Sequence, residues 1–85
     1  MDSSNQLFFA ACRNGQLESM KLLKEWGATD FDYALKAAIE YGHIQAMELL
    51  KEWGATNFDD ALHSANYMGQ FRACDLLISW GAIED

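Results

Sequence analysis

The sequence predicts an all-α solenoid of three helix-turn-helix repeats, with six helices and no sheet. The segment LLKEWGAT occurs at residues 22–29 and 49–56, and a related segment, LLISWGAI, occurs at residues 76–83. The copies are 27 residues apart each time. A fixed period of this kind is typical of stacked repeats, in which each unit buries its apolar face against its neighbours. We therefore treat residues 1–85 as a single repeat domain with repeats at about 4–30, 31–57 and 58–84.

Seven positions are identical in the three repeats, and all of them hold apolar residues or glycine. Such positions serve packing and turns rather than catalysis. We expect the repeated tryptophans to pack at successive corners between repeats, beside the glycine turns, and an exposed aromatic ridge for a partner is the alternative. The corner residues are Trp26, Trp53, Trp80, Gly27, Gly54, Gly81, Ala28, Ala55 and Ala82, and the others are Ala11, Ala38, Ala65, Gly15, Gly42, Gly69, Leu22, Leu49, Leu76, Leu23, Leu50 and Leu77.

The middle repeat contains the start and stop signals of two helices. Asp30 can cap a first helix at about residues 31–41, in which apolar residues recur every three or four positions. Gly42 can end that helix in the left-handed conformation, and a second helix at about residues 44–53 ends at Gly54 in the same way. Comparable caps are expected for the first helices of the other two repeats, at Ser3 with Gln6 and at Asn57.

The charge of the chain argues against several classes of partner. It has 13 acidic residues and 6 Lys and Arg, for a formal net charge of −7, and no basic cluster, so nucleic acid and anionic membranes are poor partners. No apolar run reaches the roughly 20 residues that span a bilayer, and the N-terminus lacks a basic signal-peptide start, so we expect a cytoplasmic protein. We also expect a negative edge after the Trp-Gly-Ala corners, formed by Asp30, Asp32, Asp59, Asp60, Glu84 and Asp85.

No arrangement of residues predicts catalysis or a cofactor. The serines lack a glycine-flanked elbow, and no glycine-rich phosphate loop is present. Cys12, His43, His63 and Cys74 are scattered without the spacing of metal ligands. In the repeat alignment the two cysteines replace apolar side chains, which predicts buried free thiols. We therefore predict no catalytic residue, no metal site and no cofactor, and a protein that is not an enzyme.

The segments ALKAAIEYGHIQAMELLKEWGA and ALHSANYMGQFRACDLLISWGA resemble the helical part of an ankyrin repeat. The resemblance covers about 22 of every 27 residues. Tyr33-Ala34 and Asp60-Ala61 stand where ankyrin repeats usually have Thr-Pro, and the period is shorter than the usual length of about 33 residues. The resemblance therefore implies ankyrin-like repeats without the protruding β-hairpin finger.

A short ankyrin-like repeat with a Trp-Gly-Ala corner and a Phe-Asp helix start resembles the multigene-family proteins of African swine fever virus. This resemblance implies a viral protein in the host cytoplasm, with a role in host range or in damping innate immune signalling, that binds a host protein. The alternative is a structural or assembly unit, either a self-associating short solenoid or a fragment of a longer repeat protein, without a host partner of its own.

Specificity in a repeat protein lies at the positions that vary between repeats. Here these positions follow the first helix of each repeat, and in ankyrin-like stacks they face the concave side. We call them the first-helix ridge and predict that they bind a protein partner. The first-helix ridge consists of Arg13, Tyr33, Lys36, Glu40, Asp60, His63 and Tyr67.

Phe9 is unusual because its counterparts in the other repeats, Lys36 and His63, are polar. Two explanations remain open. Phe9 either covers the exposed end of the first repeat or forms a self-association patch with Leu7. The second explanation predicts a homodimer at high concentration.

Overall fold

The protein is described here by a computed structural model, which defines the backbone of residues 3–83 and the side chains of residues 5–83. The described chain is an elongated stack of about 36 × 21 × 19 Å. It contains no β-strand between residues 3 and 83, and the predicted all-α repeat fold with six helices is confirmed. The helices are α1 (Ser3–Asn14), α2 (Leu17–Glu25), α3 (Phe31–Glu40), α4 (Ile44–Glu52), α5 (Phe58–Met68) and α6 (Phe71–Ser79).

The helix boundaries follow the local signals. The Asp30 carboxylate accepts a hydrogen bond of 3.3 Å from the backbone N–H of Tyr33, which caps α3 as predicted. Gly42, with φ of +70°, stands in the turn between α3 and α4, and Gly54, with φ of +117°, stands in the turn after α4. Both φ values lie in the region that side chains with a Cβ rarely occupy. The two helices of the middle repeat each end one residue before the predicted position.

The prediction that the Asn57 side chain caps α5 is wrong. Asn57 precedes α5, but its side chain makes no capping hydrogen bond. Its Nδ2 instead donates to the backbone carbonyl of Asp32, at 3.4 Å, so the amide holds the residue before α5 against the first turn of α3. The capping pattern at Ser3 lies outside the described side chains.

The core runs along the layer of first helices. Helices α1, α3 and α5 lie side by side, and each second helix packs on the first helix of its own repeat. Phe8, Leu35 and Leu62 occupy the same repeat position and are buried in the centre of this layer. Cys12 and Cys74 are buried and form no disulfide with each other, so the predicted burial of both thiols is confirmed. Sγ of Cys74 donates a hydrogen bond of 3.2 Å to Oδ1 of Asn66.

Two of the three tryptophans pack at the corners as expected. Trp53 and Trp80 are half-buried, and each contacts the phenylalanine that begins the first helix of its own repeat. The ring centroids are 6.0 Å apart for Trp53 and Phe31 and 5.4 Å apart for Trp80 and Phe58. Trp53 also lies 6.2 Å from the ring of Phe8 in the preceding repeat.

Trp26 does not follow this pattern. Its side chain is 64% exposed, so the expectation that all three tryptophans pack between repeats is wrong for the first one. The sequence has serine at position 4, where the later repeats have Phe31 and Phe58. Trp26 also lacks a preceding repeat among residues 3–83, whereas such a repeat covers each of the other two tryptophans.

In the part of the chain between residues 3 and 83, no helix combines the length and the apolar character needed to cross a membrane.

Candidate functional site

The first helices bring most of the first-helix ridge together. A cleft of about 290 Å³ crosses α1, α3 and α5 on the side where the variable positions lie. Because the three helices are adjacent, residues at equivalent turns of successive repeats lie next to each other across the stack. The members of the first-helix ridge that line this cleft are Arg13, Tyr33, Lys36, Glu40 and Tyr67.

Two predicted residues lie outside the cleft lining. Asp60 stands beside it, and its carboxylate is 3.8 Å from Nζ of Lys36, which does line the cleft. His63 is exposed and is not part of the lining, so the structure does not bring it together with the others.

The cleft also contains residues that sequence reasoning missed. Ala37 and Ile39 come from α3, and Ser64 and Met68 come from α5. Ser64 precedes Tyr67 by three positions, a spacing that places both on one helix face. That spacing is the signal that could have identified Ser64. The apolar residues carried no such signal, because their pattern also fits the core.

The charges of the cleft are paired across repeat boundaries. Nε of Arg13 in the first repeat lies 3.3 Å from Oε1 of Glu40 in the second, and both side chains are nearly half-exposed. The Lys36 and Asp60 pair joins the second and third repeats in a similar way. Exposed pairs of this kind contribute only about 0 to 1 kcal/mol each to stability. The pairs leave the cleft close to neutral, and its distinctive groups are aromatic.

Tyr67 is the most exposed aromatic residue of the cleft, at 90%. Tyr33 is exposed as well, but one face of its ring is covered by Phe9, with the ring centroids 4.5 Å apart. This contact does not fit the expectation that Phe9 covers the exposed end of the first repeat, while the self-association patch of Phe9 with Leu7 stays a prediction. Phe9 is half-buried and packs toward the second repeat, so it supports a cleft residue rather than an exposed end. Leu7 is 57% exposed.

The acidic residues after the corners have structural partners. Oδ1 of Asp32 accepts a hydrogen bond of 2.8 Å from the backbone N–H of Thr56, and Oδ1 of Asp59 accepts one of 2.8 Å from Ile83. In the first repeat the amide oxygen of Asn5 serves the equivalent backbone group. Each of these bonds holds the loop after the second helix against the first helix of the same repeat. Glu84 and Asp85 of the expected negative edge lie outside the described residues.

The described residues contain no group of three or more His, Cys, Asp or Glu side chains that could hold a metal ion. Burial raises the pKa of the Cys12 thiol to about 12, so this sulfur is protonated near neutral pH. A protonated, buried thiol is neither a nucleophile nor a metal ligand. The ring of His43 lies against the glycine turn of the first repeat, at Gly15, and its side chain makes no capping hydrogen bond to α4.

The fold and the cleft define a repeat scaffold, built to present variable side chains on one face of stacked helix pairs. A family model of ankyrin repeats, in three copies, matches residues 7–84. The chain belongs to the ankyrin repeat family, whose repeats are protein-protein interaction modules and typically non-enzymatic. A search of curated proteins returned no match at a significant level. The ankyrin part of the sequence resemblance is thereby confirmed.

Proposed function

We propose that this chain is a non-enzymatic interaction module that binds a protein partner through the cleft of the first-helix ridge. One observation carries the proposal: side chains from three successive repeats line a single cleft of about 290 Å³, at positions that the repeat pattern leaves variable. The repeated alanine, leucine and glycine positions that stabilise the stack lie outside the cleft lining, and of the lining residues only Ala37 and Ile39 belong to the buried core. The cleft residues are therefore available for recognition.

The chemistry of the cleft supports a protein ligand. Tyr33 and Tyr67 offer aromatic area together with a hydroxyl group, and Met68 adds a flexible apolar surface. Tyrosine and methionine are both enriched at protein interfaces. Tyrosine buries a large area at a small entropic cost, because its side chain has only two rotatable χ angles. The paired charges of Arg13 and Glu40 can each accept a new partner at the rim when a ligand arrives.

We also propose a more specific class of partner. The short repeat with its Trp-Gly-Ala corner resembles the multigene-family proteins of African swine fever virus, and this resemblance supports a host cytosolic protein as the partner. The module would then act in the host cytoplasm, as a host-range protein or as a modulator of innate immune signalling. The net charge of −7 agrees with a protein partner rather than a nucleic acid.

Affinity capture from host cytosol, with cleft variants beside matched controls, tests the proposal. Tyr67→Ala and Lys36→Glu alter the cleft. Tyr41→Ala removes another exposed tyrosine, and Lys21→Glu reverses another exposed lysine, both outside the cleft lining.

We expect both cleft variants to lose a captured protein that the control variants retain, with all four showing the circular dichroism of the wild type. Calorimetry with the purified captured protein should then give a Kd at least about tenfold weaker for Tyr67→Ala, as expected for a central interface tyrosine. Equal capture by cleft and control variants would refute the proposal.

A structural or assembly role is the second candidate function. It is favoured by the apolar groups that the first repeat exposes on its outer side, including Trp26. If the capture experiment finds no protein that depends on the cleft, this candidate becomes the better one, and the self-association experiment below tests it directly.

A further inference from the structure

The two boundaries between repeats are built from the same contacts. Nζ of Lys24 in the first repeat lies 5.5 Å from the ring centroid of Trp53 in the second. At the next boundary, Nζ of Lys51 lies 5.5 Å from the ring centroid of Trp80. Each repeat thus covers the corner tryptophan of the repeat that follows it.

A second contact recurs on the turns between paired helices. The ring of His43 lies across Gly15, and the side chain of Gln70 lies across Gly42. A Cβ placed on either glycine would be 2.6 Å from the covering side chain. In the second and third repeats, the residue after the glycine of the inter-helix turn therefore packs against the equivalent glycine of the preceding repeat.

The first repeat exposes the positions that later repeats bury in these contacts. Trp26 is 64% exposed and Leu22 is 46% exposed, whereas the same residue types in the second and third repeats are half-buried. Leu7 is 57% exposed, and its counterparts Ala34 and Ala61 are fully buried. The residue types at the leucine and tryptophan positions are identical, so the difference arises from their surroundings. No repeat covers this side of residues 3–83, and Ser4 stands where Phe31 and Phe58 contact the later tryptophans.

The third repeat exposes the complementary positions. Gly69 has no side chain or backbone atom within 4 Å of the place where its Cβ would be, although Gly15 and Gly42 are both covered. Phe71 is 73% exposed, while its counterpart Ile44 is half-buried in a groove that Leu76 of the next repeat also lines. Ile78 is exposed at the position from which lysines cover the later tryptophans.

We propose that copies of this chain associate head to tail, with the outer side of the third repeat of one copy covering the outer side of the first repeat of the next. The register follows from the internal boundaries. Gln16 would lie across Gly69 as Gln70 lies across Gly42, Ile78 would contact Trp26, and Phe71 would contact Leu22.

The association is weaker than the internal boundaries, for two reasons visible in the chain. Asn66 is exposed where Ile39 is fully buried, and Leu7 is larger than the alanines at its position in the other repeats. The net charge of −7 on each copy also opposes association. Salt screens this repulsion, so association should strengthen as ionic strength rises.

A head-to-tail contact uses two different surfaces, so both ends of a linear assembly stay open and chains longer than a dimer can form. A two-fold dimer that pairs one surface with itself would stop at two copies. This difference makes the proposal testable with one variant at each end. The proposal is also independent of the proposed function, because neither Trp26 nor Phe71 lines the cleft.

Sedimentation of Trp26→Gln, Phe71→Gln and Tyr41→Gln over a concentration series tests the contact. Glutamine avoids added charge, and all three replaced rings are exposed, so the variants should fold, as circular dichroism would check. Tyr41 is the control because it belongs to the middle repeat. We expect wild type and Tyr41→Gln to show a mass that rises with concentration, and each end variant alone to stay monomeric.

Mixing the two end variants gives the decisive result. Each variant retains the end that the other has lost, so the mixture should form dimers and nothing larger. In the wild type, the amide NMR signals of Gln16 and Gly69 should shift together as concentration rises. A wild type that stays monomeric at all concentrations and salt levels, a Phe71→Gln variant that associates like the wild type, or a mixture that stays monomeric would each overturn the proposal.

Discussion

The imidazole of His43 lies across the turn of the preceding repeat, where a Cβ on Gly15 would be 2.6 Å from Nδ1 and 2.9 Å from Cγ. The glycine is therefore required for two reasons. Its φ of +68° disfavours a side chain, and the ring of the next repeat occupies the space that a side chain would need. Gly69 has a φ of +73° and no such neighbour, so the two positions separate the effects.

Gly69→Ala should cost about 1 to 2 kcal/mol, the usual penalty of the left-handed conformation for alanine. Gly15→Ala should cost about 1 to 3 kcal/mol more, because the His43 ring must also move. Urea unfolding followed by circular dichroism measures both. Equal losses for the two variants would show that the His43 contact does not constrain the turn.

The corner tryptophans should differ in their contribution to stability. Trp53 packs against Phe8 and Phe31 and lies under Lys24, whereas Trp26 is largely exposed. We expect Trp53→Ala to lower the free energy of unfolding by about 2 to 4 kcal/mol, somewhat below the range for fully buried aromatic residues. Trp26→Ala should lower it by less than about 1 kcal/mol. Thermal and urea unfolding of both variants would contradict this account if their losses were similar.

Asp32 should be replaceable by asparagine but not by alanine. Its Oδ1 accepts the 2.8 Å hydrogen bond from the backbone N–H of Thr56, and Asn5 performs the same task in the first repeat. Asp32→Ala should cost about 1 to 2 kcal/mol, because an N–H group loses a charged acceptor. Asp32→Asn should recover most of that loss. An asparagine variant as unstable as the alanine variant, measured by urea unfolding, would show that charge rather than hydrogen bonding matters.

Because the Cys12 thiol is buried, the free energy of unfolding should fall as the pH rises into the alkaline range. The pKa of its thiol is raised from 9.0 to about 12, so the folded protein retains the proton that the unfolded chain releases. The stabilisation is complete below the unfolded pKa, and it is lost as pH rises from there toward the folded pKa. The free energy of unfolding falls by at most about 1.4 kcal/mol per pH unit through this one proton.

We expect the stability difference between wild type and Cys12→Ala to shrink between about pH 8.5 and pH 10.5. The two proteins differ in no other ionisable group, so the comparison isolates the thiol. Urea unfolding at several pH values measures the difference. A constant difference across this range would contradict the assignment to Cys12.

The local elements followed closely from the sequence. Helices α3 and α4 begin at the predicted residues and end one residue early, because their start and stop signals, such as Asp30 and Gly42, act on the backbone next to them. The repeat period also allowed the grouping of several first-helix ridge residues to be predicted, for a different reason. Residues at equivalent turns of adjacent helices must become neighbours, which is how Arg13 and Glu40 could be placed on one surface.

The sequence could not predict side-chain contacts between residues that are distant along the chain. Asn57 and Asp30 both precede a first helix, yet only Asp30 caps its helix, while the Asn57 amide finds the carbonyl of Asp32. Phe9 stands at a polar position and was expected either to cover an exposed end or to form a self-association patch, and its ring packs against Tyr33 of the next repeat. In both cases the side chain contacts a residue that is distant in the sequence, so local signals could not predict the partner.

The sequence by itself thus determined the period, the helices, the glycine turns and the family to which the repeats belong. Only the tertiary structure decided the exposure of residues that are identical in every repeat. Trp26 and Trp53 have the same flanking residues, and one is largely exposed while the other is half-buried. The physical reason is that helix formation depends on nearby residues along the chain, whereas burial depends on whether another repeat is stacked against that face.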